Sequence, residues 1–457
     1  MKTNKLFFQG MVCILLLSFT PACKKGFLDA KPDRERLVPT TLADYQGMLD
    51  NFRVFVSNSA IGLNEISSDD LLITDAGIQS LGLDESGAYL WERDMEPAAG
   101  DWTYLYTQVF YCNVVLEGLE TLPDSEQNTP AFNQLRGTAL FLRSNAFFYL
   151  LQGFSKPYDT VSSETDLGIP LKITSDVGER KERATVQECY DHIITDLTQS
   201  VTLLPVSTTY KSRPGQAAGN ALLARIYLSM GDFPNALKAA DAALSLNNAL
   251  LDYNQLADNT SRSFPNPFSG NNPEILFYSE MPTYSFFVSN LVGVNPALYS
   301  MYEPSDRRSK LFFLNRNGIM TFKGSYSGAL QLFTGPATNE LYLIKAECLA
   351  RIGKHAEALA ALNTLLQKRH DARFTGLAIS DPKTLLTAIL QERRKELVGR
   401  GLRWYDLRRL NKEPEFAQTL SRVANGKTLT LPPNDSRYVF LIPQSELTYN
   451  PIPQNER

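Results

Sequence analysis

Small and aromatic residues fall at helical spacing in the middle of the chain, and the spacing repeats. In residues 221–246 (ALLARIYLSMGDFPNALKAADAALSL), Ala224, Tyr227, Gly231, Phe233, Ala236, Ala240 and Ala243 take the small, aromatic and turn positions of a tetratricopeptide helix pair. Residues 345–366 (KAECLARIGKHAEALAALNTLL) repeat the register with Ala346, Leu349, Gly353, His355, Ala358, Leu362 and Leu365. The small residues let two helices approach closely, and Gly231 or Gly353 permits the tight turn between them. His355, in the aromatic turn position, reads as a packing residue. A third copy is split. Ala146, Tyr149 and Gly153 fit its first helix, and the partner helix opens at the capping-box pair Thr185 and Glu188 and ends at Pro205. Between them Pro157, Gly168 and Pro170 mark an inserted loop. A fourth pair combines the helix after Asp381-Pro382 with the helix around Trp404. The irregular spacing predicts a mainly all-α scaffold of four tetratricopeptide-like pairs with long loops inserted between them, and loops of that length usually carry function.

A different pattern opens the chain. Lys2 and Lys5 flank the start of an apolar run from Leu6 to Phe19, broken only by Gln9, Gly10 and Ser18. The run is too short to span a bilayer as a mature helix and reads as a signal-peptide core. Thr20, Pro21 and Ala22 then lead to Cys23. An apolar run, a small residue and a cysteine suggest a lipobox, although Thr20 stands where leucine is usual. Residues 1–22 are therefore read as a lipoprotein signal peptide and Cys23 as the lipidated residue; a conventional signal cut after Ala22 also fits. No other stretch is apolar and long enough to cross a membrane, so the lipid on Cys23 would hold the protein there.

The chain has 457 residues, 43% hydrophobic and 11% aromatic, which is ample material for a core. No Gly/Ser linker divides it, so residues 23–457 are read as one domain with halves at about 23–210 and 211–457. A formal net charge of −4 leaves no basic surplus for phosphates and argues against nucleic acid as partner. Cys112, Cys189 and Cys348 are an odd number in apolar helical contexts and read as small buried hydrophobes. His192, His355 and His370 lie far apart without ligand spacing, so neither a metal site nor a cofactor is expected.

Catalytic chemistry finds little support. Glu392 and Glu396 lie one helical turn apart, and with Asp406 they could serve glycoside hydrolysis if held across a sugar. They are interleaved with Arg393, Arg394, Arg403 and Arg408, however, and such pairing keeps a carboxyl ionised where a glycosidase acid must be protonated. Structural ion pairs are the favoured reading. No G-x-S-x-G elbow, P-loop, H-E-x-x-H or G-x-G-x-x-G occurs. Asp69-Asp70 and Asp94 with Glu96 lack calcium-loop spacing and are read as solvated loops.

Further motifs carry a resemblance. Gly26-Phe27-Leu28-Asp29 and Lys31-Pro32 follow Cys23; Trp102, Leu105-Tyr106 and Asn113 come next, then Gly168-Ile169-Pro170-Leu171. Glu392-Arg393-Arg394-Lys395-Glu396-Leu397 leads through Gly401-Leu402-Arg403-Trp404-Tyr405-Asp406-Leu407-Arg408-Arg409. Tyr438-Val439-Phe440-Leu441-Ile442-Pro443, Glu446, Asn450-Pro451 and Gln454-Asn455 complete the set. Together they resemble the SusD/RagB family of nutrient-uptake lipoproteins, with Arg400 departing from the glutamate usual in the family. The resemblance implies a non-enzymatic protein on the outside of the outer membrane that captures glycan and passes it to a SusC-like TonB-dependent barrel. A peptide-binding, RagB-like role, a tetratricopeptide assembly protein and a glycoside hydrolase stay open as alternatives.

Sugar capture needs flat aromatic faces beside polar groups, on loops the scaffold does not bury. Two regions fit: Tyr89, Trp91, Glu92 and Arg93; and Tyr284, Phe286 and Phe287 with Tyr299 and Tyr302 beyond. For any one of these rings core burial is the more common fate. Trp91 is the leading single candidate, while Trp102 and Trp404 are assigned to the core.

The anchor assignment is directly testable. Metabolic labelling with a fatty-acid analogue should mark the wild-type protein and not Cys23→Ala; label retained by the variant would refute it.

Overall fold

Capping signals set where the helices begin. The computed structural model describes residues 39–457 apart from 128, 269–271 and 325, so Cys23 and the Gly26–Asp29 motif lie outside the described residues. Thr185 and Glu188 close the expected capping box: Glu188 N–H donates to Thr185 Oγ1 at 3.1 Å, and Thr185 N–H to Glu188 Oε2 at 2.8 Å. Asp381 accepts from Thr384 N–H at 2.8 Å, with Pro382 in the first turn.

The main helices, in chain order, are α1 Leu42–Leu49, α2 Gly62–Ser67, α3 Leu83–Leu90, α4 Ala99–Glu120, α5 Pro130–Phe154 and α6 Val186–Leu203. They continue as α7 Gln216–Met230, α8 Phe233–Leu246, α9 Thr338–Arg351, α10 His355–Leu366, α11 Pro382–Glu396 and α12 Arg403–Leu410. Consecutive helices pack as α4–α5, α5–α6, α7–α8 and α9–α10, and α8 lies on α9. Ala224, Ala236, Ala240, Ala243, Ala346 and Ala358 are all fully buried at these contacts, as close helix approach requires. The fourth pair is looser. α11 packs mainly on α9 and α12 on α2 and α7, the two being bridged by Arg393 Nε to Asp406 Oδ2 at 2.8 Å.

Short antiparallel strand pairs occupy the insertions: β1 Leu71–Ile73 with β4 Val292–Val294, β2 Leu167–Pro170 with β3 Arg183–Thr185, β5 Phe313–Arg316 with β6 Ile319–Phe322, and β7 Leu420–Ala424 with β8 Lys427–Leu431. The β2 segment docks on α4, where Tyr106 O–H donates to Pro170 O at 2.8 Å. Leu72 pairs with Gly293, so a strand from the first quarter of the chain is completed by one from the second half. On its other side β4 abuts β6 so closely that a Cβ on Gly293 would sit 2.8 Å from Ile319 Cγ2.

One apolar core runs through the helices and includes Trp102 and Trp404; a second, aromatic core surrounds Tyr253, Phe264, Phe312 and Tyr326. Cys112, Cys189 and Cys348 are buried free thiols. Among the described residues no helix is long and apolar enough to cross a membrane.

The two repeat glycines hold left-handed backbone, Gly231 at φ 77° and Gly353 at φ 83°, with open space where a Cβ would project. The cost of a side chain there is therefore conformational rather than steric. Gly231→Val should lower unfolding free energy by about 1–2 kcal/mol and Gly231→Asn by clearly less, read by reversible denaturant unfolding. Equal costs for the two variants would contradict the turn geometry.

Candidate functional site

The first aromatic region folds inward. α3 ends at Trp91, which adopts left-handed backbone (φ 54°) and is only 2% exposed. Its indole N–H donates to Ser67 O at 2.9 Å. The Arg422 guanidinium, carried by β7, lies 3.9 Å from the Trp91 ring centroid and 4.2 Å from that of Tyr89. Arg422 also donates to Tyr89 O at 2.8 Å and Ser68 O at 2.7 Å. Burial pulls its pKa down to about 10, so it remains a cation at neutral pH. Tyr89 is buried too, its hydroxyl accepting from Ile73 N–H at 3.2 Å. Trp91 and Tyr89 are thus core residues clamping a buried arginine, which corrects their placement on a loop surface. Glu92 and Arg93 are exposed.

The second region meets the first. Phe286 N–H donates to Glu85 Oε1 at 3.1 Å, and the Phe286 ring lies 5.8 Å from that of Tyr89. Glu85 Oε2 accepts from Gly82 N–H at 2.9 Å, so the carboxylate that caps α3 also ties down the 284–288 turn. Phe286 is fully buried. Tyr302 is buried as well: its hydroxyl donates to Lys395 O at 2.8 Å and its ring packs against Phe313. These two are likewise corrected from surface to core; both are consumed in joining elements. Tyr284 and Tyr299 stay half-buried. Burial, with the Asp101 and Asp84 carboxyls nearby, raises the Tyr284 hydroxyl well above its usual pKa.

What the two regions leave at the surface is the β4 face, a pair of clefts flanking that buried strand. On one side a cleft of about 350 Å³ is lined by Tyr299, Leu72, Thr74, Leu291 and Met320. On the other, a notch of about 60 Å³ is lined by Phe287, Val288, Ser289, Asn290, Arg262 and Arg316, with Leu330 beside them. Val288 is 54% exposed. Apolar and aromatic carbon here adjoins hydroxyl, amide and guanidinium groups, the combination a polyhydroxylated ligand needs. Sequence reasoning missed Arg262, Arg316 and Met320. The signal that could have found the last two is Asn317-Gly318, whose positive φ values (52° and 89°) make the two-residue turn joining β5 to β6.

The charged helix is structural. Arg308 donates to Glu392 Oε2 at 2.6 Å, Glu396 Oε2 at 3.0 Å and Asp306 Oδ1 at 2.9 Å, and is fully buried. Burial pushes the Glu392 carboxyl upward, but Arg308 and Lys395 outweigh it and hold its pKa below the usual range. Asp69 and Asp70 are no solvated loop. Arg403 Nε bonds Asp69 Oδ1 and Arg394 Nε bonds Asp70 Oδ1, each at 2.7 Å, and although burial opposes it the two arginines hold Asp69 at about 2. Burial pushes several carboxyls the other way, Asp70, Glu274 and Glu280 among them; Glu65 is raised to about 8 and Asp101 to about 7. Both are sealed from solvent and line neither cleft, so the raised values mark burial rather than a reacting acid.

Comparison with known proteins fits this architecture. A SusD-like family model, described as "Starch-binding associating with outer membrane", matches residues 26–228, and the model of the SusD family matches residues 338–457. Over 82 residues the chain is 35% identical to SusD-like protein P38 of Formosa agariphila, a match covering 17% of this chain and 16% of that relative. Solved structures resemble it over nearly their whole length. A putative sugar binding protein from Bacteroides vulgatus is 24% identical, with a TM-score of 0.74, 92% of this chain and 99% of that one covered. A SusD superfamily protein from Bacteroides thetaiotaomicron is 22% identical, with a TM-score of 0.75 and coverage of 91% and 100%. At these identities the likeness is one of fold.

The clamp around Arg422 predicts the behaviour of Trp91→Ala. The variant should lose about 3–5 kcal/mol of stability, as other buried large-to-small changes do, while its folded fraction binds ligand as the wild type does. Chemical unfolding and titration calorimetry on one sample check both; an unmoved transition with weakened binding would return Trp91 to the ligand surface.

Proposed function

The chain belongs to the SusD/RagB family, and from that membership we propose that it captures glycan at the outer membrane and hands it to a SusC-like TonB-dependent barrel. The family is one of substrate-binding proteins associated with the outer membrane, and this is a binding protein rather than an enzyme. In our reading Cys23 carries the lipid that tethers it, and the protein faces the cell exterior. The ligand sits on the β4 face.

One observation carries the placement of the site. Two segments 201 or more residues apart in sequence are locked side by side by the Glu85–Phe286 bond and the β1–β4 pairing. Their junction leaves Phe287 and Tyr299 partly exposed in open clefts, with Ser289 and Asn290 beside Phe287, while Tyr284 packs inward over Gly62 and lines neither cleft. A pyranose ring presents axial C–H groups to such a ring face, while its hydroxyls reach the polar neighbours. The scaffold beneath is held by helix packing and ion pairs, so the site is formed before ligand arrives.

Affinity electrophoresis against immobilised polysaccharides tests this. The wild-type protein should be retarded by at least one glycan without shortening it. Tyr299→Ala should weaken that retention about five-fold or more, the factor that corresponds to 1 kcal/mol, with its circular-dichroism spectrum unchanged. Retention identical in wild type and variant would move the site elsewhere.

A further inference from the structure

The charges around the β4 face are one-sided. Among the described residues Arg262 and Arg316 are the only ionised groups lining its two clefts, and no carboxylate lines either. Neither arginine has a carboxylate partner among the described residues. Arg262 donates to the carbonyls of Ser261 (3.0 Å) and Lys323 (2.5 Å) and to nothing anionic. Arg316 stands exposed at the end of β5, immediately before the Asn317-Gly318 turn. Burial and the neighbouring Arg316 charge together lower the pKa of Arg262, so the two cations are near enough to repel. Several other surface arginines are neutralised, among them Arg213 by Asp50, Arg307 by Asp258 and Arg437 by Asp435, while the unpaired Arg93 and Arg180 meet Ser436 and the Tyr449 ring and line neither cleft. The chain as a whole is acidic. Two convergent cations left without a counter-charge on an acidic protein suit an incoming anion. A guanidinium fork meets the planar oxygens of a carboxylate, or the oxygens of a sulfate ester, with paired hydrogen bonds.

Resting on the reading of this face as a glycan site, we infer that its ligand is an acidic saccharide whose carboxylate or sulfate group lies between Arg262 and Arg316. The sugar ring would contact Phe287, Val288 and Leu330, and its hydroxyls Ser289 and Asn290. Arg316 fixes ligand class through charge, while the aromatic groups supply contact that any sugar could use.

Calorimetry with four probes of matched length tests it: an oligogalacturonate, a sulfated galactan, a neutral galactan and polyglutamate. At least one acidic saccharide should bind about ten-fold or more tightly than the neutral one at low salt. The advantage should shrink as ionic strength rises. Arg316→Glu should remove it, and Arg316→Lys should keep part of it. Whichever acidic saccharide binds better tells carboxylate from sulfate. Equal binding of neutral and acidic galactans, indifferent to Arg316→Glu, would overturn the acidic assignment and leave glycan capture standing. Polyglutamate outcompeting every saccharide, or no probe binding at all, would overturn both.

Discussion

Arg308 has no contact with solvent, and three carboxylates surround it. Glu396 serves a second buried cation, Arg369, at 2.8 Å, and Arg369 in turn holds Glu274 at 2.8 Å. Asn339 donates to the same Glu396 oxygen at 2.8 Å. One polar network thus fastens α11 to α9, to the segment after α10, to the turn at Glu274 and to the 306–308 turn. A buried pair contributes little when compared with well-packed apolar residues, but removing one partner costs about 3–5 kcal/mol because the other charge is stranded. The network therefore acts as a registry device: α11 cannot slide without stranding an ion. Tyr302 lies over Arg308, 5.8 Å from the guanidinium, and bonds Lys395 O. Three residues earlier stands Tyr299, at the edge of the cleft. The position of the Tyr299 cleft is in this way inherited from the electrostatics of the core.

The parts of this fold that could be read from sequence are those decided locally. The helix pairs follow from small residues at helical spacing and a glycine whose left-handed conformation ends the first helix. The Thr185–Glu188 box needs only four residues. The Glu392–Glu396 pair was legible as structural from its arginine-rich surroundings, yet the arginines that bind those carboxylates are Arg308 and Arg369, from other parts of the chain. Trp91 could not be placed correctly because its fate is set by Arg422, and nothing between residues 83 and 95 announces that a cation will arrive from β7. The same holds for Asp69-Asp70, which looks like a solvated acidic pair until Arg394 and Arg403 are brought to it.

Arg400, which stands where the sequence resemblance leads one to expect glutamate, has its charge absorbed locally. It lies 4.4 Å from the Phe333 ring and 5.4 Å from that of Tyr326, and donates to Gly335 O at 2.7 Å. Aromatic faces and a carbonyl take up a charge for which Glu340, 3.9 Å away and already bound to Arg225, offers only part of a partner. Burial lowers its pKa to about 10, which leaves it ionised.

The separation in sequence between Asp69-Asp70 and their arginines bears on how the chain reaches this structure. The partners are 324 and 334 residues apart, and Arg422 reaches Ser68 O across 354. Loop-closure entropy grows only logarithmically, so such pairings cost little more at equilibrium than shorter ones. In time they are expensive, since non-local contacts slow the search for the native state. A chain emerging amino-end first presents Asp69, Asp70, Tyr89 and Trp91 hundreds of residues before their partners exist. Until β7 is made, the segment from Asp69 to Trp91 thus lacks the cations that pair with it in the native structure. Its apolar and aromatic surface stays uncovered for that interval, the condition under which a nascent chain is prone to aggregate.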